Sequence, residues 1–285
     1  MTFSIAACDL HADPPEWGVA VASKFPAVGA VVPWARAGVG AVATQAFANV
    51  AYGPDGLALL ERGSTAAEVV RTLTDADEGR DDRQLAVVDA SGTAATFTGS
   101  GCFDWAGGLG GPGYCCQGNI LAGAGVVQAM AEIFVTSEGE LAARLLAALQ
   151  AGDSAGGDRR GRQSAALLVV RAGGGYGGGT DKTVDLRVDD HLDPVGELHR
   201  LFSVHRLVFP RPEDLEFIEL EGPLAAEIAG LLRRAGYEPD GPDPDSLRRA
   251  LEAYSGIENL EERLPANPAL IERGILEHLR RAADA

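Results

Sequence analysis

The sequence has little positive charge and very little lysine. Its 285 residues include 24 lysines plus arginines against 41 aspartates plus glutamates, so the formal net charge is −17. Lys24 and Lys182 are the only lysines. Because an acidic surface repels phosphate backbones, this composition argues against a nucleic-acid partner.

Cysteine and long apolar runs are also scarce. The four cysteines (Cys8, Cys102, Cys115 and Cys116) show no CxxC spacing, which argues against a zinc site and against a disulfide framework. No apolar run approaches the length of a membrane span, so no membrane insertion is predicted. The N-terminus lacks the pattern of a secretory signal, and we therefore expect a cytoplasmic protein with reduced thiols.

Neither a metal nor an organic cofactor is predicted. His199 and His205 are six residues apart and would not share a helix face. The stretch "GLGGPG" matches G-x-G-x-x-G, but a strand follows it instead of a helix, so the helix N-terminus that would hold a pyrophosphate is missing. We interpret this stretch as a glycine-rich loop.

The remaining pattern predicts an α+β fold. Residues Thr2–Cys8 alternate as in a half-buried strand, and Thr65 with Glu68 forms a capping box before a helical pattern. Strands, helices, strands, helices, strands and a helix follow one another in that order. Such an order fits two antiparallel sheets stacked between helical layers, and not a parallel βαβ sheet.

Two domains are expected. Pro210 and Pro212 disfavour a helix in "FPRPEDLEFIEL", which is typical of a connector. We therefore predict one domain over residues 1–209 and a small all-helical domain over residues 210–285.

Thr2 is the first candidate for catalysis. Removal of Met1 would leave a free α-amine beside a β-hydroxyl, and an α-amine has an unperturbed pKa of about 7.7–8.0. A threonine hydroxyl paired with its own N-terminal amine is an activated nucleophile. Threonine is also an ordinary residue at the start of a strand, so this dipeptide alone is a weak signal. Lys24, at the end of the second strand, would lower the pKa of that amine, or it is simply a solvated strand end.

Several long stretches resemble a known family. "TFSIAACD", "WGVAVASKFPAVGAVVPWARAGVGAVATQAFAN", "YGPDGLALLERG", "CQGNIL" and "GGDRRGRQSAALLVVR" are similar to a bacterial and archaeal family of unknown function that is assigned to the N-terminal nucleophile (Ntn) hydrolase fold. The resemblance covers roughly residues 1–205 and implies a four-layer αββα sandwich. The rule of that superfamily, a nucleophile at the processed N-terminus, maps to Thr2. No substrate comes with the resemblance.

The C-terminal region resembles a second family. "GPLAAEIAGLLRRAGYEPDGPDPDSLRRALEAYSGIENLEERL" is similar to helical peptidoglycan-binding domains. Peptidoglycan fragments are therefore an expected partner. The alternative is a helical appendage for packing or for homo-oligomerisation.

The remaining candidates are polar residues in two stretches. Arginine forks bind carboxylates, so "DRRGR" would grip a carboxylate-bearing substrate through Arg159, Arg160 and Arg162, with Asp158 orienting one arginine or the α-amine. Asn119 would stabilise an oxyanion, and Gln117 lies on the same face of the strand. Gln45 is a weaker candidate of the same kind. Each amide is equally explained as a buried group bonded to the backbone.

The leading hypothesis is an Ntn-type amidohydrolase that acts on a small carboxylate-bearing amide, such as an N-acyl amino acid, a short peptide or a muropeptide fragment. In the alternative hypothesis, the protein is a non-catalytic binder on an Ntn scaffold that recognises cell-wall fragments or a protein. Cys8 or Cys115 as the nucleophile remains a third possibility.

Overall fold

The chain folds into two compact units. The computed structural model describes residues 2–241 and 243–283, with one unit ending at Leu201 and the other beginning at Phe202. Each unit has its own apolar core. The domain boundary that we predicted after residue 209 falls further along the chain and stays a prediction. None of the helices in the described residues is both long and apolar enough to span a bilayer.

The first unit contains two antiparallel sheets. The larger has the strand order β10-β9-β2-β1-β8-β7 and the smaller has the order β3-β4-β5-β6. Neighbouring strands in both sheets run antiparallel, as the strand order in the sequence predicts. The strands are β1 Thr2–Asp9, β2 Glu16–Ser23, β3 Pro33–Arg36, β4 Gly40–Ala46, β5 Arg83–Asp89, β6 Ala94–Thr98, β7 Gly107–Gly111, β8 Tyr114–Asn119, β9 Ser164–Arg171 and β10 Lys182–Val188.

The two sheets face each other across a core of small apolar side chains. Ala6 and Val21 of the larger sheet share this core with Ala43 and Ala86 of the smaller one. On the outside, helices α1 and α2 cover the smaller sheet, and helices α3 and α4 contact strands of the larger one. The expected mixture of helices and stacked antiparallel sheets is thus confirmed. The helices are α1 Tyr52–Glu61, α2 Ala66–Asp75, α3 Gly125–Thr136, α4 Leu141–Ser154 and α5 Pro194–Val208.

The start of the chain is a buried strand. Residues 2–8 of β1 are all buried, with Ala6 and Cys8 facing the second sheet. Successive side chains of a strand point to opposite faces, so Phe3 and Ile5 face the helical side instead. The ring of Phe3 lies against Gly152 of α4, where an added Cβ would be 3.2 Å from it. The strand predicted over Thr2–Cys8 is therefore confirmed, but the expectation that it is half-buried was wrong, because both of its faces are covered.

The predicted capping box is confirmed at the start of α2. The Thr65 side chain accepts from the Glu68 backbone N–H, and the Glu68 carboxylate accepts from the Thr65 N–H. These two bonds satisfy N–H groups that have no partner within the helix, and they fix where the helix begins.

The glycine-rich loop that we expected around "GLGGPG" was wrong in one respect. Residues Gly107–Gly111 form β7, which pairs with β8 in the register Gly107↔Gly118 to Gly111↔Tyr114. Glycine has low strand propensity, but here the alternative to pairing would be an unsatisfied edge of β8. An added Cβ at Gly111 would lie 2.7 Å from the ring of Tyr114, its register partner, so a side chain here would require that ring to move.

The second unit is mainly helical and includes a short two-stranded sheet. Residues 270–272 pair with residues 217–219, and the last helix begins at Arg273. The all-helical expectation lacked this pairing, because two three-residue strands leave almost no signal in a sequence. The elements are β11 Phe217–Glu219, α6 Gly222–Arg234, α7 Pro244–Glu258, β12 Leu270–Glu272 and α8 Arg273–Ala283.

Arg263 connects several elements of the second unit. Its Nε and Nη2 donate to the carbonyls of Leu207 and Arg206, in the last turn of α5, at 2.6 and 2.9 Å. Its Nη1 lies 2.8 Å from the carboxylate of Glu272, and both side chains are at least nine-tenths buried. Carbonyls at a helix C-terminus lack partners within the helix, so Arg263 caps α5.

We expect Arg263→Ala to destabilise the second unit by about 3–5 kcal/mol, because it leaves a buried carboxylate and two carbonyls without their donor. The measurement is the free energy of unfolding from urea denaturation of the full chain. Arg280→Ala is the matched control, since Arg280 forms an exposed pair with Glu227 on the same unit, and exposed ion pairs contribute little to stability. Equal effects of the two substitutions would contradict a capping role for Arg263.

Candidate functional site

Thr2 lies at the end of a cavity in the first unit. Its side chain is 5% exposed, and its hydroxyl is 3.1 Å from the hydroxyl of Ser23, the last residue of β2. On the other side, Thr2 pairs with Asn119 at the end of β8. Three strands therefore end side by side at this point. Met1, on whose removal the nucleophile hypothesis depends, lies outside the described residues.

The cavity beside Thr2 has a volume of about 390 Å³. Its wall is largely apolar, and two arginines, Arg83 and Arg160, supply its charge. No histidine, aspartate, glutamate or lysine occurs among the described residues that line it. The lining consists of Thr2, Phe25, Val28, Val31, Val32, Gln45, Ala46, Phe47, Ala48, Arg83 and Arg160. Such a cavity suits a ligand that combines an apolar group with an anion.

Backbone strain is concentrated around this cavity. Ala27, Ala46 and Ile120 have φ values of 50°, 69° and 50°, in the left-handed region that a Cβ disfavours. Ala46 lines the cavity, Ala27 lies between two lining residues, and Ile120 directly follows Asn119. Strain of this kind persists only where the surrounding structure enforces it, and it is common at functional sites.

A network of buried amides lies behind Thr2. Gln84, at the start of β5, is fully buried and accepts through Oε1 from Gln45 Nε2 at 2.8 Å and from Asn119 Nδ2 at 2.9 Å. Gln45 Nε2 is also 3.3 Å from the carbonyl of Thr2, and Gln45 Oε1 accepts from the Ser4 hydroxyl. These bonds fix which way each amide faces. Because the side-chain amide nitrogen of Asn119 donates to Gln84, only one of the two hydrogens on that nitrogen remains for another acceptor.

Gln117 is also used within the fold. Its Nε2 donates to the carbonyl of Ala43 at 3.0 Å, and its Oε1 accepts from the Thr96 hydroxyl. Gln117 pairs with Ser4, one strand repeat further from the chain start than Thr2. The structure therefore brings Asn119 and Gln45 close to Thr2, and it places Gln117 deeper between the sheets.

The three arginines of the "DRRGR" stretch, which we call the arginine loop, do not all lie at the same cavity. Arg160 lines the Thr2 cavity and forks onto the carboxylate of Asp158, with Nη2 3.2 Å from Oδ2. Arg162 instead lines a second cavity of about 490 Å³ and donates through Nε to Asp153 at 2.8 Å. That contact raises the pKa of the Arg162 guanidinium. Arg159 is exposed, and its backbone N–H donates to the carbonyl of Ile120.

The backbone of Lys24 is hydrogen-bonded to the side chain of Asp158. The N–H of Lys24 donates to Asp158 Oδ2 at 2.8 Å, and the Lys24 ammonium lies 3.4 Å from the carbonyl of Arg162. Ser23, and not Lys24, contacts the Thr2 hydroxyl. In the register of β1 and β2, Phe3 pairs with Ala22, which brings Ser23 opposite Thr2.

The thiols are poorly suited to nucleophilic attack. Cys8 and Cys115 are buried, and burial raises the pKa of Cys8 to about 11 and that of Cys115 to about 12. A thiol with such a pKa is almost entirely protonated at neutral pH, and the thiolate is the nucleophilic form. Neither cysteine lines the Thr2 cavity. Within the described residues, no group of three or more His, Cys, Asp or Glu is placed to hold a metal ion.

Sequence reasoning missed three residues at this site: Ser23, Gln84 and Arg83. Ser23 and Gln84 occur at the ends of strands that are otherwise apolar on the inward face, and such a polar residue at a strand end was an available signal. Arg83 had no comparable signal, because Phe47, beside which it lines the cavity, is distant from it in the chain.

Comparisons with known proteins match the two parts of the chain to two different family models. Residues 2–198 match the model of a family described as "Family of unknown function (DUF1028)", and residues 208–279 match one described as "Putative peptidoglycan binding domain". A comparison with curated proteins finds no match. One similar solved structure is protein SPO2555 from Silicibacter pomeroyi, also a DUF1028 protein. It is 36% identical to this chain with a TM-score of 0.66, over 72% of this chain and 86% of the other. The chain therefore belongs to the DUF1028 family and carries a second region that matches the peptidoglycan-binding model.

Proposed function

We propose that the first unit is an Ntn-type amidohydrolase with Thr2 as its nucleophile. One observation carries the proposal: Thr2 lines a cavity in which none of the described lining residues is a histidine, carboxylate or lysine. A threonine hydroxyl needs an adjacent base to attack an amide. If Met1 is removed, the α-amine of Thr2 itself would be that base.

The chemistry would proceed in two steps. In the first, Thr2 Oγ1 attacks the amide carbonyl, its proton passes to the α-amine, and the C–N bond breaks as the leaving amine takes that proton. In the second, water cleaves the resulting ester, releases the acid and restores the hydroxyl. Ser23 would hold the Thr2 hydroxyl in position, and Asn119 would contribute its remaining N–H to the oxyanion.

The buried amide network supports the proposal by its rigidity. Gln84 fixes Asn119 and Gln45 from behind, and Gln45 also contacts the carbonyl of Thr2. A site of this kind would be oriented before the substrate arrives, which is where much of an enzyme's rate enhancement comes from. Lys24 would act on the α-amine only through its charge, since its ammonium lies against the carbonyl of Arg162.

A lysine inserted between Met1 and Thr2 tests this use of the α-amine. Intact mass should show that the native chain has lost Met1, whereas the insertion variant keeps the Thr2 hydroxyl but has no free amine on that residue. We expect the native chain to hydrolyse members of a panel of N-acyl amino acids, ureido compounds and muropeptides, and the insertion variant to be inactive. A native chain that retains Met1, or an insertion variant of full activity, would contradict the proposal.

A second candidate function rests on the match of residues 208–279 to the peptidoglycan-binding model. In this case, the full chain would bind cell-wall fragments without cleaving them. It predicts that the native chain and the lysine-insertion variant bind muropeptides equally well in calorimetry and that neither releases a product.

A further inference from the structure

Arg83 is the charged residue of the Thr2 cavity that no sequence pattern singled out. It begins β5 and lines the cavity together with Phe47 and Ala48. Its Nη1 donates to the carbonyl of Phe47 at 2.5 Å, and its side chain is only 23% exposed. An arginine held in an apolar wall is partly desolvated, and its attraction to an anion is therefore screened less than at the surface.

Asp77, the carboxylate partner of Arg83, bonds to only one nitrogen of the guanidinium. Asp77 Oδ2 accepts from Arg83 Nε at 3.0 Å. The same carboxylate also accepts from the Tyr52 hydroxyl, from Asn49 Nδ2 and, through Oδ1, from the Gly79 N–H. These contacts hold the pKa of Asp77 well below its usual range. Asp77 is thus saturated with donors and holds Arg83 by its inner nitrogen, and no acceptor is described for Nη2 among residues 2–241 and 243–283.

The other arginine of the cavity is engaged differently. Arg160 presents Nε and Nη2 to the two oxygens of Asp158, which is the edge that a second carboxylate would need. Among the described residues that line the cavity, none is a carboxylate that would compete for Arg83. Arg83 thus differs from Arg160 in two respects: its carboxylate partner takes one nitrogen instead of two, and its side chain is 23% exposed against 44%.

A glycine makes room for this arrangement. An added Cβ at Gly79 would lie 2.6 Å from Arg83 Nη2, too close for any real contact. Gly79 has φ −89°, which alanine also adopts, so the backbone itself does not require glycine here. What an alanine would displace is the tip of the Arg83 side chain.

We propose that Arg83 is a carboxylate-binding residue of the Thr2 cavity, held in place by Asp77 and by the space at Gly79. The ligand class is an amide with a free carboxylate and an apolar group, which packs on the valines and phenylalanines of the wall. This inference rests on the proposed function and deepens it, because it names the substrate group, a carboxylate, that Arg83 binds in the same cavity.

Binding measurements on the full chain test the inference without any turnover. The probes are three matched pairs, the N-acetyl derivatives of leucine, phenylalanine and alanine as acids and as carboxamides, measured by calorimetry in the Thr2→Ala background. We expect the acid of at least one apolar pair to bind about tenfold more tightly than its amide, since hydrogen bonds to charged groups have that order of magnitude.

Two variants remove the preference in different ways. Arg83→Gln deletes the charge, and Gly79→Ala keeps every charge but displaces Nη2, so both should bring the acid-to-amide ratio close to one. Arg36→Gln is the matched control, because Arg36 also pairs with a carboxylate, Glu61, outside the cavity. It should keep the preference of the parent protein. Thermal melting confirms that each variant is folded.

Three results would overturn the inference. These are equal or absent binding of acid and amide in every pair, an acid preference that survives Arg83→Gln in a folded protein, and a preference that Arg160→Gln abolishes while Arg83→Gln does not. The proposed hydrolysis fails separately, when the lysine-insertion variant retains activity. An acid preference in a protein without hydrolysis would support this inference and refute the proposed function alone.

Discussion

A Thr2→Ala chain should lose amidohydrolase activity by about a thousandfold or more in kcat, with little change in substrate binding. Removal of a covalent nucleophile typically costs at least this much, because the remaining binding interactions do not replace the attacking atom. Alanine and threonine are both small residues, so Met1 would be removed from both chains. The comparison therefore isolates the hydroxyl, whereas the lysine insertion isolates the amine.

Thr2→Ser is the matched variant for this experiment. Serine keeps a hydroxyl on the same Cβ and loses only a methyl group, so it should retain a substantial part of kcat. Thr136→Ala serves as a remote control, because the Thr136 hydroxyl bonds to the carbonyl of Glu132 within α3 and is exposed. It should have full activity. If Thr2→Ala were as active as Thr136→Ala on an identified substrate, Thr2 would not be the nucleophile.

Gln84→Leu should destabilise the first unit by about 3–5 kcal/mol. Leucine fills a similar volume, so the cost does not come from a cavity. It comes from the polar groups that lose their partner: the amide nitrogens of Gln45 and Asn119 lose an acceptor, and the carbonyls of Gly118 and Gly107 lose a donor. A buried polar group without a partner costs about 1–3 kcal/mol.

Urea denaturation of the full chain gives the free energy of unfolding, with the two units fitted as separate transitions. Gln150→Leu is the control, since Gln150 lies on α4 and, within the described part of the chain, its Nε2 bonds only to the Ser154 hydroxyl, at a solvent-accessible position. That substitution should change stability by about 0.5 kcal/mol or less. If Gln84→Leu changed stability by no more than the control, the network behind Thr2 would have no structural importance.

The resemblance and the hydrophobic periodicity predicted much of the first unit. The strand at Thr2–Cys8, the capping box at Thr65 and the stacking of antiparallel sheets under helices all follow from local patterns, since each depends on residues close together in the chain. The two failures have different causes. The strand at Gly107–Gly111 pairs with the adjacent β8, but its glycine-rich composition carries no strand signal. The pairing of β11 with β12 joins two three-residue strands that are distant in sequence.

The candidate site shows the same limit. Thr2, Asn119 and Gln45 could be proposed from the sequence because a chain start and amides at strand ends are visible there, and the structure places them together. The division of the arginine loop could not be foreseen. Arg160 and Arg162 are two residues apart, yet Asp158 and Asp153 hold them at two different cavities.

The amino-acid order thus determined most strands and helices of the first unit, and that a strand begins at the second residue, because periodicity, caps and turns act over a few positions. Only the tertiary structure decided that Ser23 contacts Thr2, that Gln84 orients the amides behind it, and that Arg83 lines the cavity. The physical reason is that these contacts join residues far apart in the sequence, across neighbouring strands and between the two sheets. Their geometry is fixed by the packing of the whole unit, which no short stretch of sequence encodes.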